Sequence, residues 1–109
     1  MKLILAIIQK DDAGMLVDAL TKREYRATRI NTAGGFLKES NATILVGVSD
    51  DQVDDVLSVI KANCQVRTKQ VNPLPPIMEP GEFYVPYPVD IEVGGATVFV
   101  LDVLEYKRL

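Results

Sequence analysis

The first apolar run, "KLILAIIQ" at Lys2–Gln9, is nearly unbroken, as expected of a central strand covered on both faces. Asp11 and Asp12 follow; either can serve as an N-cap, and both suit the positive end of a helix. Leu16, Ala19 and Leu20 then recur at helical spacing, flanked by Ala13 and Val17, which predicts a helix over 12–24. Residues 25–32 predict a second strand, broken by Gly34 and Gly35, and the mostly apolar stretch 42–48 a third. Ser49 and Gln52 have the spacing of a capping box. Val53, Val56, Leu57 and Ile60 beyond them form one helical stripe, with Asp51, Asp54 and Asp55 in the first turns and Lys61 near the end. A more polar fourth strand is expected over 64–72. Residues 73–88 hold all 6 prolines and predict a long irregular loop. Val89, Ile91 and Val93 alternate with acids, Gly94-Gly95 reads as a two-residue hairpin turn, and 96–103 returns as the last strand.

The predicted order is β-α-β-β-α-β with an added C-terminal hairpin strand. This is an α+β, ferredoxin-like sandwich in a single domain, 1–109. Two helices cover one face of such a sheet. The other face is also rich in apolar residues, so the sequence predicts self-association, most simply as a closed ring.

Length alone permits a core without disulfides or metal. The single cysteine, Cys64, excludes an intramolecular disulfide and points to a reducing, cytoplasmic setting. The N-terminal apolar run, Leu3 to Ile8, is too short for a signal sequence, and no run approaches a membrane span. A net charge of -3 argues against a nucleic-acid binder. The chain has no histidine, which removes the commonest general base and metal ligand. Cys64, at the exit of the second helix, reads as a small buried hydrophobe. Asp50, Asp51, Asp54 and Asp55 read as a solvated, capped first turn rather than a metal site. The first β-α loop, "QKDDAG", is acidic and lacks arginine, so no phosphate-ester enzyme is indicated. Neither a metal nor a cofactor is expected.

The stretch "YRATRINTAGGFLKESNATILVGV", 25–48, carries the candidate chemistry. Strand alternation puts Arg26 and Thr28 on one face. Gly34 and Gly35 leave backbone N–H groups open to close approach and able to form an anion nest. Phe36 follows directly. Asn41 offers donor and acceptor beyond the turn. Gly47 lets another group approach the third strand, and Phe99 supplies a second aromatic on the last. Together these suit an anion bearing a flat heterocycle, that is, a nucleotide. On these residues alone, a plain hairpin with a solvated arginine, a turn asparagine and a core phenylalanine is an equal reading.

The segments "MKLILAIIQ", "RATRINTAGGFLKESNAT", "VDDVLSVIKANC" and "EFYVPYPVDIEVGGATVFVLDV" resemble the PII-like cyclic-di-AMP receptor proteins, signal transducers related to the nitrogen-regulatory PII proteins. The resemblance spans essentially the whole chain. It implies a homotrimer binding cyclic di-AMP in inter-subunit clefts without turnover. It further implies that the turn between the second and third strands and a long proline-rich loop at about 68–87 change conformation on binding. Carried over, it makes Arg26, Thr28 and Asn41 polar contacts, Gly35 and Gly47 backbone contacts, and Phe36, Leu37 and Phe99 apolar contacts to adenine. A downstream protein partner is expected but unidentified; charge and the short apolar runs indicate neither nucleic acid nor membrane. Glu24, Ser40 and Ala42 stand where that family usually carries a neutral or amide residue, a glycine and a threonine. Sensing of a different adenine nucleotide and action as a ligand-free interaction module are the alternatives.

Overall fold

The computed structural model describes residues 1–33, 40–71 and 88–109. In β1 (Lys2–Gln9), Ile4, Ala6 and Ile8 are buried, while Leu3, Leu5 and Ile7 between them are only half-buried. The continuous apolar run therefore belongs to a strand whose one face lies under helices and whose other face stays open within the chain. This corrects the expectation of a strand covered on both sides.

β1 is central. It pairs antiparallel with β3 (Ser40–Val48) on one side and β6 (Ala96–Asp102) on the other, and β2 (Ala27–Ala33) pairs with the outer edge of β3. The strand order is β2-β3-β1-β6. The ferredoxin-like plan is present, with β6 in the place beside β1. β4 (Arg67–Val71) and β5 (Val89–Val93) instead form a separate two-stranded ribbon. The hairpin expected at Gly94-Gly95 is thus not formed: β5 and β6 lie in different sheets. Gly94 and Gly95, both at positive φ (87° and 80°), carry the chain from one sheet to the other. Residues 68–71, placed in the fourth strand by the residue pattern and in the proline-rich loop by the family resemblance, belong to β4; 72–87 lie outside the described residues.

α1 (Lys10–Lys22) and α2 (Val53–Asn63) cover the buried face. Ala13, Leu16 and Leu20 from α1 and Val56, Val59 and Ile60 from α2 meet Ile4, Ala6, Ile8, Ala42, Ile44, Val46 and Val48 in one core. α1 starts two residues earlier than expected. Extended Gln9 precedes it, and Asp11 and Asp12 sit inside the first turn, where their charge suits the exposed N–H groups. Asp12 makes no cap because its carboxylate binds Arg67. The C-terminus of α1 is a Schellman motif. The Tyr25 N–H donates to the Leu20 carbonyl (3.0 Å) and the Glu24 N–H to that of Thr21 (2.9 Å). Glu24 takes the left-handed position, φ 66°, that glycine usually fills. Before α2, the Ser49–Gln52 capping box forms as expected and closes a short 3-10 turn, Asp50–Gln52.

A polar tie joins the two helices. The Tyr25 hydroxyl and the Arg23 guanidinium both donate to Asp55, each at 2.6 Å. The Tyr25 bond, with Arg23 beside it, holds the Asp55 carboxyl below its ordinary 3.8. The same bond holds the Tyr25 hydroxyl above its ordinary 10.0.

The Asp55 contribution to stability is present above pH 3.8 and is lost as pH falls through its lowered folded value; that of Tyr25 is present below pH 10.0 and is lost as pH rises through its raised one. Tyr25→Phe should flatten both limbs of a stability–pH profile measured by urea unfolding. Glu24→Gly should raise stability by about 0.5–1 kcal/mol, because glycine relieves the left-handed strain at some entropic cost; an unchanged or lower urea midpoint contradicts that.

Candidate functional site

The open sheet face is ordered by register. Thr28, Leu45, Leu5 and Phe99 form one row across all four strands; Ile30, Thr43, Ile7 and Thr97 form the next. Asn41 and Gln9 face each other across β3 and β1 one row further on. Gly47 opposes Leu3 at the other end, and Leu3 opposes Leu101. Phe99 is 51% exposed, and Ile30 and Leu101 are exposed as well, so the face is apolar and accessible.

Four of the predicted site residues occupy this face. Thr28, Asn41, Gly47 and Phe99 share it by strand alternation, and exposed Arg26 continues the phase of Thr28 just before β2. Arg26, Thr28 and Gly47 gather at one end, since Ala27 pairs with Val46 and the next position outward brings Arg26 level with Gly47. Among the described residues no ion pair engages Arg26. Phe99 is not brought to them: three strand spacings separate it from Thr28, or about 14 Å. Asn41 lies four residues along β3 from Leu45, again about 14 Å away. Gly35, Phe36 and Leu37 lie outside the described residues.

Around Asn41 the sequence reading missed several neighbours. Asn41 lines a cleft of about 240 Å³ with Ile7, Gln9, Gly94, Gly95 and Thr97. Gln9 had one signal, a polar residue ending an apolar run in phase with Leu3, Leu5 and Ile7. The glycines had none, because their place beside Asn41 depends on β5 and β6 parting.

The acidic cluster has structural occupations. Asp51 accepts from the Ser49 hydroxyl, Asp55 from Tyr25 and Arg23, and Asp50 lies 3.2 Å from the Met1 amino group. Among the described residues, no three His, Cys, Asp or Glu side chains are grouped to hold a metal ion. Cys64 is buried at the end of α2, and desolvation, aided by the Asp12 charge, pushes its thiol up to about 11. Such a thiol is a poor nucleophile. Among the described residues no helix is long and apolar enough to cross a membrane.

The chain matches the family described as "Cyclic-di-AMP receptor" over residues 1–109. It is 37% identical over 76 residues, 58% of this chain and 72% of the relative, to the "Nitrogen fixation nifHD region GlnB-like protein 1" of Methanothermococcus thermolithotrophicus. A crystal structure of a functionally unknown protein from Pediococcus pentosaceus ATCC 25745 superposes with a TM-score of 0.76 at 37% identity, covering 99% of this chain and 96% of that one.

The state of Cys64 is directly testable. With its thiol raised from 9.0 to about 11, the thiolate fraction near neutral pH falls about 100-fold. Because a thiolate of higher pKa is also intrinsically more nucleophilic, native protein should react with a disulfide reagent at least about tenfold more slowly than urea-unfolded protein; equal rates would place the thiol in contact with solvent.

Proposed function

The chain belongs to the cyclic-di-AMP receptor family, and from that membership we propose that it is a homotrimeric signal-transduction protein holding its ligand between subunits. Its role is reception rather than catalysis. One observation carries the inter-subunit reading. Thr28 and Phe99 share a row of the open face but stand on opposite edge strands, about 14 Å apart. A base stacked on Phe99 is therefore out of reach of Arg26 and Thr28 of the same chain. Closing copies into a ring edge to edge brings the Phe99 edge of one to the Arg26 edge of the next, and it turns the exposed apolar faces toward the centre of the ring.

In this arrangement Arg26 and Thr28 bind phosphate or ribose oxygens, and Asn41 bonds to a base or sugar edge. Gly47 admits the ligand against β3, and Phe99, with Phe36 and Leu37, receives adenine. Gly35 supplies backbone N–H. Charge-assisted hydrogen bonds contribute roughly 1.5–3 kcal/mol each, and aromatic stacking roughly 1–3 kcal/mol per base. Three of each, roughly 7.5–18 kcal/mol, reach micromolar affinity when the cost of association lies near the low end of roughly 4–15 kcal/mol. Ligand binding then changes the turn between β2 and β3 and the proline-rich loop, which present the signal to a downstream protein partner.

A second reading is favoured by one residue. Glu24 is exposed and fixed in a left-handed conformation two positions before Arg26. A carboxylate held there opposes a second phosphate, which favours an adenine nucleotide of different charge distribution.

Calorimetric titration with cyclic di-AMP, and with ATP and cyclic di-GMP in parallel, separates these readings. Cyclic di-AMP should bind at one site per subunit, with a trimeric mass by light scattering. Arg26→Ala should weaken binding at least about tenfold with the trimer intact. Parental affinity in that variant removes Arg26 from the site, and a monomeric mass removes the inter-subunit cleft.

A further inference from the structure

The β4–β5 ribbon is not hydrogen-bonded into the main sheet among the described residues, so its angle to the body must be set by other contacts. The chain enters it through Gln65 and Val66 and leaves it through Gly94 and Gly95. At this root the Gly95 N–H donates to the Cys64 carbonyl at 2.6 Å. Arg67, the first residue of β4, reaches back to α1: Nη2 lies 2.9 Å from Asp12 Oδ1 and Nη1 3.2 Å from Oδ2, a bidentate fork. Nη1 also donates to the Gln65 carbonyl at 3.2 Å. Asp12 is 6% exposed, although carboxylates are rarely buried without a partner. Gly94 packs so closely on this joint that a Cβ there would collide with the Gln65 carbonyl oxygen and crowd Arg67 Nη1.

The same joint borders the candidate site. Three adjoining clefts, of about 300, 240 and 330 Å³, share Gln9 as a lining residue. One contains Asn41 with Gly94 and Gly95; the other two are walled by Lys69 and Val93 of the ribbon. Gln9 directly precedes α1, and Asp12 lies in its first turn. Rotation of the ribbon about its root therefore moves a wall of two of these clefts directly, and it bears on the third through the root glycines Gly94 and Gly95.

We propose that the Asp12–Arg67 ion pair is a clasp that fixes the ribbon against α1 and thereby sets the affinity of the cleft around Gln9 and Asn41 for its ligand. The proposal rests on the cyclic-di-AMP reading above. Asp12 and Arg67 act as positioning residues: neither lines the cleft that contains Asn41, although Arg67 borders one of the two clefts beside it. The coupling is reciprocal: a ligand that prefers the clasped ribbon also tightens it. The strands of the ribbon lead directly into the proline-rich segment, so the clasp ties occupancy of the cleft to the base of that loop.

The test uses the full chain and the variants Asp12→Ala, Arg67→Met and the double variant. Arg67→Met leaves Asp12 buried without its cation and lowers the melting temperature; Asp12→Ala added to it removes the stranded charge and restores stability. A purely structural role predicts that affinity for cyclic di-AMP returns with stability. The clasp predicts that affinity stays at least about tenfold below the parent in the double variant, a typical size for coupling between sites. Amide exchange supplies a ligand-free reading: 67–71 and 89–93 should exchange at least about tenfold faster in Asp12→Ala and in the double variant, with the β1 and β3 amides unchanged. Parental affinity and parental ribbon exchange in the double variant overturn the clasp. Should the parent itself give no heat with cyclic di-AMP, the reading of the cleft fails and exchange decides: faster ribbon amides support the clasp, and parental rates overturn it.

Discussion

Two amphipathic helices can cover only one face of a four-stranded sheet, and the rest of this molecule is organised by that constraint. Ile4, Ala6, Ile8, Ile44 and Val46 take the covered side. Leu3, Leu5, Ile7, Leu45 and Phe99 are then committed to the other side by strand alternation, because a slip of one residue would exchange the two sets. Among the described residues, the candidate ligand residues Arg26, Thr28, Asn41, Gly47 and Phe99 lie on this second side. Their accessibility and the stability of the core thus depend on the same register, and no substitution that shifts a strand can alter one without the other.

The periodic elements were legible in the sequence because burial on one side imposes period. β1 was read to the residue, and both helices were found from their stripes. The departures occur where a distant partner overrides a local signal. Asp12 reads as an N-cap, yet Arg67, 55 residues away, takes its carboxylate, and the helix begins before it. Gly94-Gly95 reads as a hairpin turn between alternating strands, but β6 pairs with β1 instead of β5. Nothing local distinguishes a glycine pair that closes a hairpin from one that moves the chain between sheets. The placement of the candidate residues was legible to the same extent. Arg26, Thr28 and Gly47 follow from alternation and local register. That Phe99 stands far from them, and that Gln9 joins Asn41, follows only from strand order.

The charged groups follow a related division. Arg23, Tyr25 and Asp55 join the α1 terminus to α2 with short hydrogen bonds and fix how the two helices lie together. Asp12 and Arg67 do the corresponding work between α1 and the ribbon. Helix packing and ribbon docking are consequently anchored at opposite ends of α1. That helix, like the end of α2 and the start of β6, is thus an element through which a change at the ribbon can reach the core.

The pairing of β1 with β6 has a consequence for biosynthesis. Lys2 and Asp102 form an ion pair across 100 residues of sequence, and Val103 donates its N–H to the Met1 carbonyl at 3.2 Å. A ribosome adds those residues in about 5–20 s at ordinary elongation rates. Throughout that interval one edge of an isoleucine- and leucine-rich strand has no neighbour, the condition under which nascent chains recruit chaperones or join one another. A message cut short before β6 would therefore yield an adhesive product with an open strand edge, rather than a smaller working version of the same sheet.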